Sequence, residues 1–382
     1  MSSKPRILHI APNGREAGGL ERFTALRARR DNRYEHHLLA LTPIDPDYAR
    51  AFASAASLTA RPLSAGLIEK HLDRPRPECI IVYNRLDALA CLAAMDSSKA
   101  LPVIFSIHDY SVLSIGPGYN RLTLATGKPS FFYLPVERDF ATRKLAFQTR
   151  KTLRKKLKAL DAATAIECPS DSLRAAISRF SKREAFVVPP YCQNFSPTPS
   201  DATGRSLLFI GALTRGKGIR LMMKSLSQLS QPFQLTVIGR GYLEKELKAW
   251  AIKGHYDLRH IQQVSPEALT GYYRKATLVL IPSILESFGM VAMEAMAHSR
   301  TVAAYDVPGI SDQITHGING LLAKPFDRNA YARLIERALS DHRLRSKIEA
   351  NAYEYAREHY ADNKIEARFD RLMRRCHVHP AR

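Results

Sequence analysis

"TLVLIPSILESFGMVAMEAMA", residues 277–297, decides the fold. Thr277 to Ile281 is an unbroken run of apolar and β-branched residues, as a strand covered on both faces requires. Pro282 ends the run, and Gly289 precedes a stretch of good helix formers from Met290 to Ala297. A buried strand, a short loop and a helix open a βαβ unit, so the sheet is parallel. The same alternation recurs along the chain. "RILHI" (6–10), "HHLLAL" (36–41), "CIIVY" (79–83), "PVIFSI" (102–107), "ATAIEC" (163–168) and "AFVVP" (185–189) read as a first series of strands. "SLLFIGAL" (206–213), "FQLTVIG" (233–239), "LRHI" (258–261), "TLVLIP" (277–282) and "TVAAY" (301–305) read as a second. Between them, "PPYCQNFSPTPSDATG" (189–204) is rich in Pro, Ser and Thr and reads as a linker. The class is α/β, with two Rossmann-like domains, and ligands are expected beyond the carboxyl ends of the strands.

Two carboxylates in the opening stretch carry chemistry. Glu286 sits in the strand-to-helix loop. Glu294 lies in the second helical turn among Val291, Ala292, Met293, Ala295, Met296 and Ala297, where an unsatisfied charge is costly. The backbone N–H groups of Gly289, Met290 and Val291 form an anion site at the helix start, and Gly289 permits close approach of a phosphate. A diol such as ribose would satisfy Glu294. Phosphate at the helix start and ribose beside it together describe a nucleoside diphosphate. Two other readings stay open. Ser283 and Glu286 have the spacing of a capping box, and Glu294 has the alternative of a buried Arg or Lys.

Composition narrows the class. A chain of 382 residues with 45% apolar residues suits two cores. It holds no apolar run long enough for a membrane span, and "MSSKPRILHI" reads as a first strand instead of a signal peptide. The five cysteines, at 79, 91, 168, 192 and 376, show no C-x-x-C pair, which points to a reducing compartment without structural zinc. The net charge of +21 implies an anionic partner.

The first half offers three features. Gly18-Gly19 in "APNGREAGGLERF" (11–23) precede a helix, as a turn or as a phosphate-facing loop. His108-Asp109 in "FSIHDY" (105–110) end a strand, where α/β sheets place ligand residues, or else form a turn pair. The segment from 141 to 160 holds eight Lys or Arg and no acid. On a helix, Leu145, Ala146, Leu153, Leu157 and Leu160 gather on one side, and Arg143, Lys144, Arg150, Lys151, Arg154, Lys155 and Lys158 on the other. Such a basic amphipathic helix binds an anionic membrane surface or packs its Leu face on the core. "SFFYL" just upstream supplies an aromatic anchor.

The segment "IPSILESFGMVAMEAMAHSRTVAAYDVPGISDQITHGINGLLAKPFD" (281–327) resembles the signature region of family 4 retaining glycosyltransferases. The E-x7-E pair, "EAMA", the "VPG" turn and the "NGLL…D" ending carry the resemblance, and the motif order extends it over roughly residues 6 to 360. It implies the GT-B fold, with two Rossmann-like domains facing each other across a cleft and a C-terminal helix returning to the first. It implies that Glu294 binds the nucleotide ribose and Glu286 the hydroxyls of the donor sugar. "GALTRGKG" (211–218) resembles the phosphate-binding stretch, so Lys217 takes the diphosphate. The family's arginine position is Ala212 here, which leaves Arg215 or Arg220 to supply a charge. Gly18 and Gly19 resemble the glycine-rich loop, and His108 the histidine near the reacting sugar. Ser299 and Thr301 depart from the family's Gly and Pro.

The expected boundaries are 1–192 for an acceptor-binding domain, 193–359 for a nucleotide-sugar-binding domain and 360–382 for a C-terminal helix and tail. The expected activity is retaining transfer of a sugar from a UDP- or GDP-sugar to a hydroxyl acceptor, lipid-linked or in a cell-envelope glycan. His108 and Glu286 are the catalytic candidates. Gly18, Gly19, Arg215, Lys217, Ser287, Phe288, Gly289, Met290, Val291 and Glu294 would hold the donor. Arg150, Lys151, Arg154 and Lys155 would hold an anionic membrane at the cytoplasmic inner face. No metal, cofactor or nucleic acid is expected. The alternatives are a nucleotide-sugar epimerase or phosphorylase of the same fold, or a non-catalytic nucleotide-sugar or glycan-binding protein.

Overall fold

The computed structural model describes residues 4–16, 18–59, 62–72, 76–95, 101–110, 121–122, 132–133, 159–192, 194–197 and 204–380. The chain divides into two compact units: Met1–Tyr191 with Asp362–Arg382, and Cys192–Ala361. The basic run with Arg150, Lys151, Arg154 and Lys155 lies outside the described residues.

The first unit is built on β1 (Arg6–Ala11), β2 (Glu35–Ala40), β3 (Ser54–Ser57), β4 (Cys79–Tyr83), β5 (Val103–Ser106), β8 (Ala165–Cys168) and β9 (Ala185–Val187). These strands form one sheet in the order β3-β2-β1-β4-β5-β8-β9, parallel throughout. A separate short pair, β6 (Arg121–Leu122) and β7 (Phe132–Tyr133), is antiparallel. Helices α1 (Gly19–Arg30), α2 (Pro46–Ala49), α3 (Ala65–Glu69), α4 (Leu86–Ala93) and α5 (Asp171–Ser178) connect the strands. Every residue of β4, "CIIVY", is buried, as a central parallel strand demands.

The second unit repeats the plan. Strands β10 (Ser206–Ile210), β11 (Gln234–Ile238), β12 (Asp257–Ile261), β13 (Leu278–Ile281), β14 (Val302–Tyr305) and β15 (Leu321–Ala323) lie in the parallel order β12-β11-β10-β13-β14-β15. Helices α6 (Ile219–Leu226), α7 (Glu244–Lys253), α8 (Pro266–Lys275), α9 (Met290–Ala297), α10 (Arg328–Ser340) and α11 (His342–Tyr360) complete it. Ala361 takes extended backbone (φ −61°, ψ 147°) and ends α11. The next helix, α12 (Asp362–Arg375), belongs to the first unit and buries Ile365, Phe369, Leu372 and Met373 there. Asp370 pairs with Arg33 at 2.7 Å and Asp362 with Arg30 at 2.6 Å.

Besides the short pair β6–β7, two strands of the parallel sheets escape the sequence reading. β3 is "SAAS" and β15 is "LLA", both at sheet edges, too short or too polar for an apolar run to betray them. The start of the expected linker also differs, because Pro189 to Tyr191 is buried and belongs to the first unit instead of running free. Ser299, at the family's glycine position, adopts φ 53°, the left-handed region that glycine enters without steric cost. Among the described residues no helix is long and apolar enough to cross a membrane.

Candidate functional site

In each sheet the chain leaves one strand toward one side and returns on the other, which opens a crevice at the carboxyl ends of the neighbouring strands. In the second unit these strands are β10 and β13. The loop after β10 is "GALTRGKG" and the loop after β13 is "PSILESFG". The two are stitched together, since the Ile284 N–H donates to the Gly216 carbonyl at 3.1 Å. Gly218 has φ 71°, and a Cβ there would strike the Pro282 carbonyl. Glycine is therefore required where the loops touch.

This stitching brings Lys217 to Glu286. Lys217 Nζ lies 2.5 Å from Glu286 Oε1, which also accepts from Ser283 Oγ at 2.8 Å. The side chains are 37% and 12% exposed, so the pair is open to water on the lysine side. Among the described residues Glu286 Oε2 takes no hydrogen bond. The capping-box reading of Ser283 and Glu286 does not hold. α9 begins at Met290 with Gly289 as its N-cap, and Ser283 bonds the Glu286 carboxylate instead of a helix amide. Gly289 has φ 92° and offers no side-chain cap, so the amides at the helix start keep their positive potential. Ser287, Met290 and Val291 are partly exposed around this start, and Phe288 is buried. Gln313, absent from the sequence reading, donates through Nε2 to the carbonyls of Phe288 and, at 3.1 Å, of Gly309, fixing the turn into α9.

Glu294 is 4% exposed, and its Oε2 accepts from the Tyr273 hydroxyl at 2.8 Å. Tyr273 stacks on His298, whose Nδ1 bonds the Glu294 carbonyl oxygen at 2.7 Å. A buried aromatic on α8 reads in sequence as core, so nothing there marks Tyr273 as the partner of a carboxylate. Arg220, the other candidate for the charge missing at Ala212, makes a half-exposed forked pair with Glu246, with contacts of 2.8 Å. Arg215 is exposed on the same loop, its backbone N–H on the Tyr242 hydroxyl at 2.9 Å.

The first unit has its own crevice at β1, β4 and β5. Gly18 caps α1 with φ −172°, an extended conformation that needs no glycine, and Gly19 is the first helical residue. The glycine that is sterically required is Gly14, where a Cβ would lie 2.6 Å from the Pro43 carbonyl oxygen. His108 follows β5. Its backbone N–H donates to Asn84 Oδ1 at 2.9 Å, and Asn84 Nδ2 donates to Asp109 at 3.1 Å. Asn84 itself has φ 50°, which asparagine tolerates better than most residues. The His108 ring packs against Phe23 at 4.3 Å. Burial, only partly offset by Glu167, lowers the His108 pKa to about 4, so the ring is neutral near pH 7.

Beneath His108 runs a polar chain that sequence reasoning missed. His108 Nε2 lies 2.8 Å from Ser106 Oγ, which donates to Glu167 Oε2 at 2.6 Å. Arg27 meets Glu167 with both guanidinium nitrogens, one at 3.0 Å. Both side chains are fully buried. The Arg27 guanidinium lies over Phe23 at 4.5 Å and over Phe369 of α12 at 4.3 Å.

Comparison with known proteins places this geometry. The family of glycosyl transferases group 1 matches residues 193–355. D-inositol 3-phosphate glycosyltransferase of Xylanimonas cellulosilytica is 31% identical over 219 residues, 51% of this chain and 52% of that one. Lipopolysaccharide 1,2-N-acetylglucosaminetransferase of Salmonella typhimurium is 30% identical over 186 residues, 44% of this chain and 48% of that one. The chain spans about half the length of the curated relatives it matches. Among solved structures, Anabaena HepE in complex with UDP and glucose superposes with a TM-score of 0.74 at 17% identity, covering 96% of this chain and 99% of that one. The second unit thus carries the sequence pattern of the group 1 glycosyl transferases, and the chain as a whole has the GT-B fold.

Proposed function

We propose that this chain is a retaining glycosyltransferase that moves a sugar from a UDP- or GDP-sugar to a hydroxyl of a lipid-linked or cell-envelope glycan. The observation that carries the reading is the junction of Lys217, Glu286 and the uncapped start of α9 at the switch point of the second sheet. The α9 amides receive the diphosphate, and Lys217 turns from Glu286 to the charge that grows as the diphosphate leaves. Glu286 Oε2 then accepts a hydroxyl of the donor sugar. Glu294 accepts the ribose hydroxyls while Tyr273 steadies its carboxylate. His108, neutral at working pH, orients the sugar and is too weak a base to activate water. Lysine and helix start together supply the positive potential that a divalent cation supplies elsewhere, so the reading needs no metal. The acceptor class draws support from the relatives named for lipopolysaccharide and inositol phosphate, and from the basic run 141–158, read as the contact with an anionic membrane at the inner face.

A panel of UDP- and GDP-sugars in thermal unfolding tests the donor. The right donor at about 100 times its dissociation constant adds about 2.7 kcal/mol of stability. No stabilisation by any of them overturns the reading. One observation favours a second reading, a binding protein without turnover: the family's arginine position is the exposed Ala212. Donor binding with no nucleoside diphosphate released in the presence of acceptor glycans would select it.

A further inference from the structure

The chain below His108 fixes more than the position of the ring. Glu167 takes two guanidinium bonds from Arg27 and is a carboxylate, which only accepts hydrogen bonds. Ser106 Oγ, 2.6 Å away, has one proton and gives it to Glu167 Oε2. The same oxygen therefore faces His108 Nε2, at 2.8 Å, as an acceptor. Only a protonated Nε2 can complete that bond. In a neutral imidazole the other nitrogen, Nδ1, then holds the lone pair. Asn84 holds the His108 backbone, and the Phe23 ring lies against the imidazole with centroids 4.3 Å apart.

We propose that Glu167, acting through Ser106, is a positioning residue that fixes His108 in the Nε2–H tautomer and makes Nδ1 its accepting nitrogen. The role assigned to His108 rests on the proposed transferase function. In that setting the histidine meets a donor-sugar hydroxyl as an acceptor and not as a donor. The fully buried Arg27 donates to both Glu167 oxygens, so Glu167 is the accepting end of the chain and sets the direction of its bonds. Phe369 lies over Arg27 at 4.3 Å, so α12 braces the relay.

The test is the tautomer itself, read on the full chain with ¹⁵N-labelled histidine by long-range ¹H–¹⁵N correlation at pH 7. Loss of one set of signals in His108→Gln assigns the ring. The expected pattern is a pyrrole-like Nε2 and a pyridine-like Nδ1. Ser106→Ala removes the link yet leaves the Arg27–Glu167 pair in place, so the unit keeps its fold. In that variant the two His108 nitrogens should move toward the averaged shifts of exchanging tautomers, and Ser106→Thr, which keeps the hydroxyl, should restore the wild-type pattern. For transfer from the nucleotide sugar, kcat should fall about tenfold in Ser106→Ala while KM for the donor stays within about twofold, the signature of lost orientation. A wild-type ring protonated on Nδ1, or a Ser106→Ala spectrum identical to wild type, overturns the inference. Absence of turnover in the wild type counts against the transferase reading alone, since the spectra still decide the tautomer.

Discussion

Each unit holds an ion pair that bears on its candidate residues, and the two pairs differ in almost everything else. Arg27–Glu167 is sealed, with both side chains at 0% exposure, and it is clamped by two aromatic rings. Lys217–Glu286 joins two glycine-bearing loops and stands partly in water. A sealed pair fixes its neighbours, because neither charge can leave without stranding the other. A half-open pair can exchange partners at little cost, because water and an incoming anion compete for the lysine. The sealed pair holds its geometry, and the open pair can change partners.

The largest effect that could break this contrast is in the sealed pair. Arg27→Leu leaves Glu167 buried without its ion-pair partner, and chemical denaturation should show a loss of about 3–5 kcal/mol. A loss near zero would mean that water reaches Glu167. The open pair should behave in the opposite way. Lys217→Ala should change stability by less than about 1 kcal/mol, yet lower turnover about 10²- to 10³-fold. Steady-state kinetics beside a melting curve separate the two outcomes, and an unchanged turnover number would pass the role to Arg215.

Glu294→Gln sharpens the contrast within the second unit. The fold should persist, since the Tyr273 hydroxyl can still donate to the amide oxygen. Donor affinity should fall by about 1.5–3 kcal/mol, the worth of a hydrogen bond to a charged group. Titration calorimetry giving an affinity within a factor of two of wild type would remove ribose from this residue.

Acid provides the gentlest probe. Burial lowers the pKa of His36 and of His108 to about 4, and that of His9 well below its usual value, all three in the first unit. The unfolded chain takes up protons near pH 6.5 that the folded first unit refuses. Stability is therefore full above pH 6.5 and is lost as pH falls toward 4. In the second unit His298 alone among the described histidines has a resolved shift, also downward and from burial. Hydrogen exchange at pH 5 should thus quicken first in the β1–β4 region, and equal acceleration in both units would erase the distinction.

The legible parts of the molecule are those written locally. Both sheets could be read because their central strands are continuous apolar runs, and Glu286, Lys217 and Gly289 because they punctuate loops beside such runs. The relay under His108 was not legible, because Arg27 and Glu167 are 140 residues apart and each alone is an unremarked charge on a helix or strand. Tyr273 stayed hidden for the same reason, 21 residues from the carboxylate it serves. A loop residue beside a strand could be read singly, whereas a partner buried in the core carries no local mark.

The return of α12 also sets an order on synthesis. A ribosome delivers all of residues 192–361, the material of the second unit, before Ile365, Phe369, Leu372 and Met373 exist to fill the first unit's core. The half of the molecule begun first is therefore the half finished last. Until it is finished, the surface that α12 covers stays open and Arg27 lacks the Phe369 ring that closes over it.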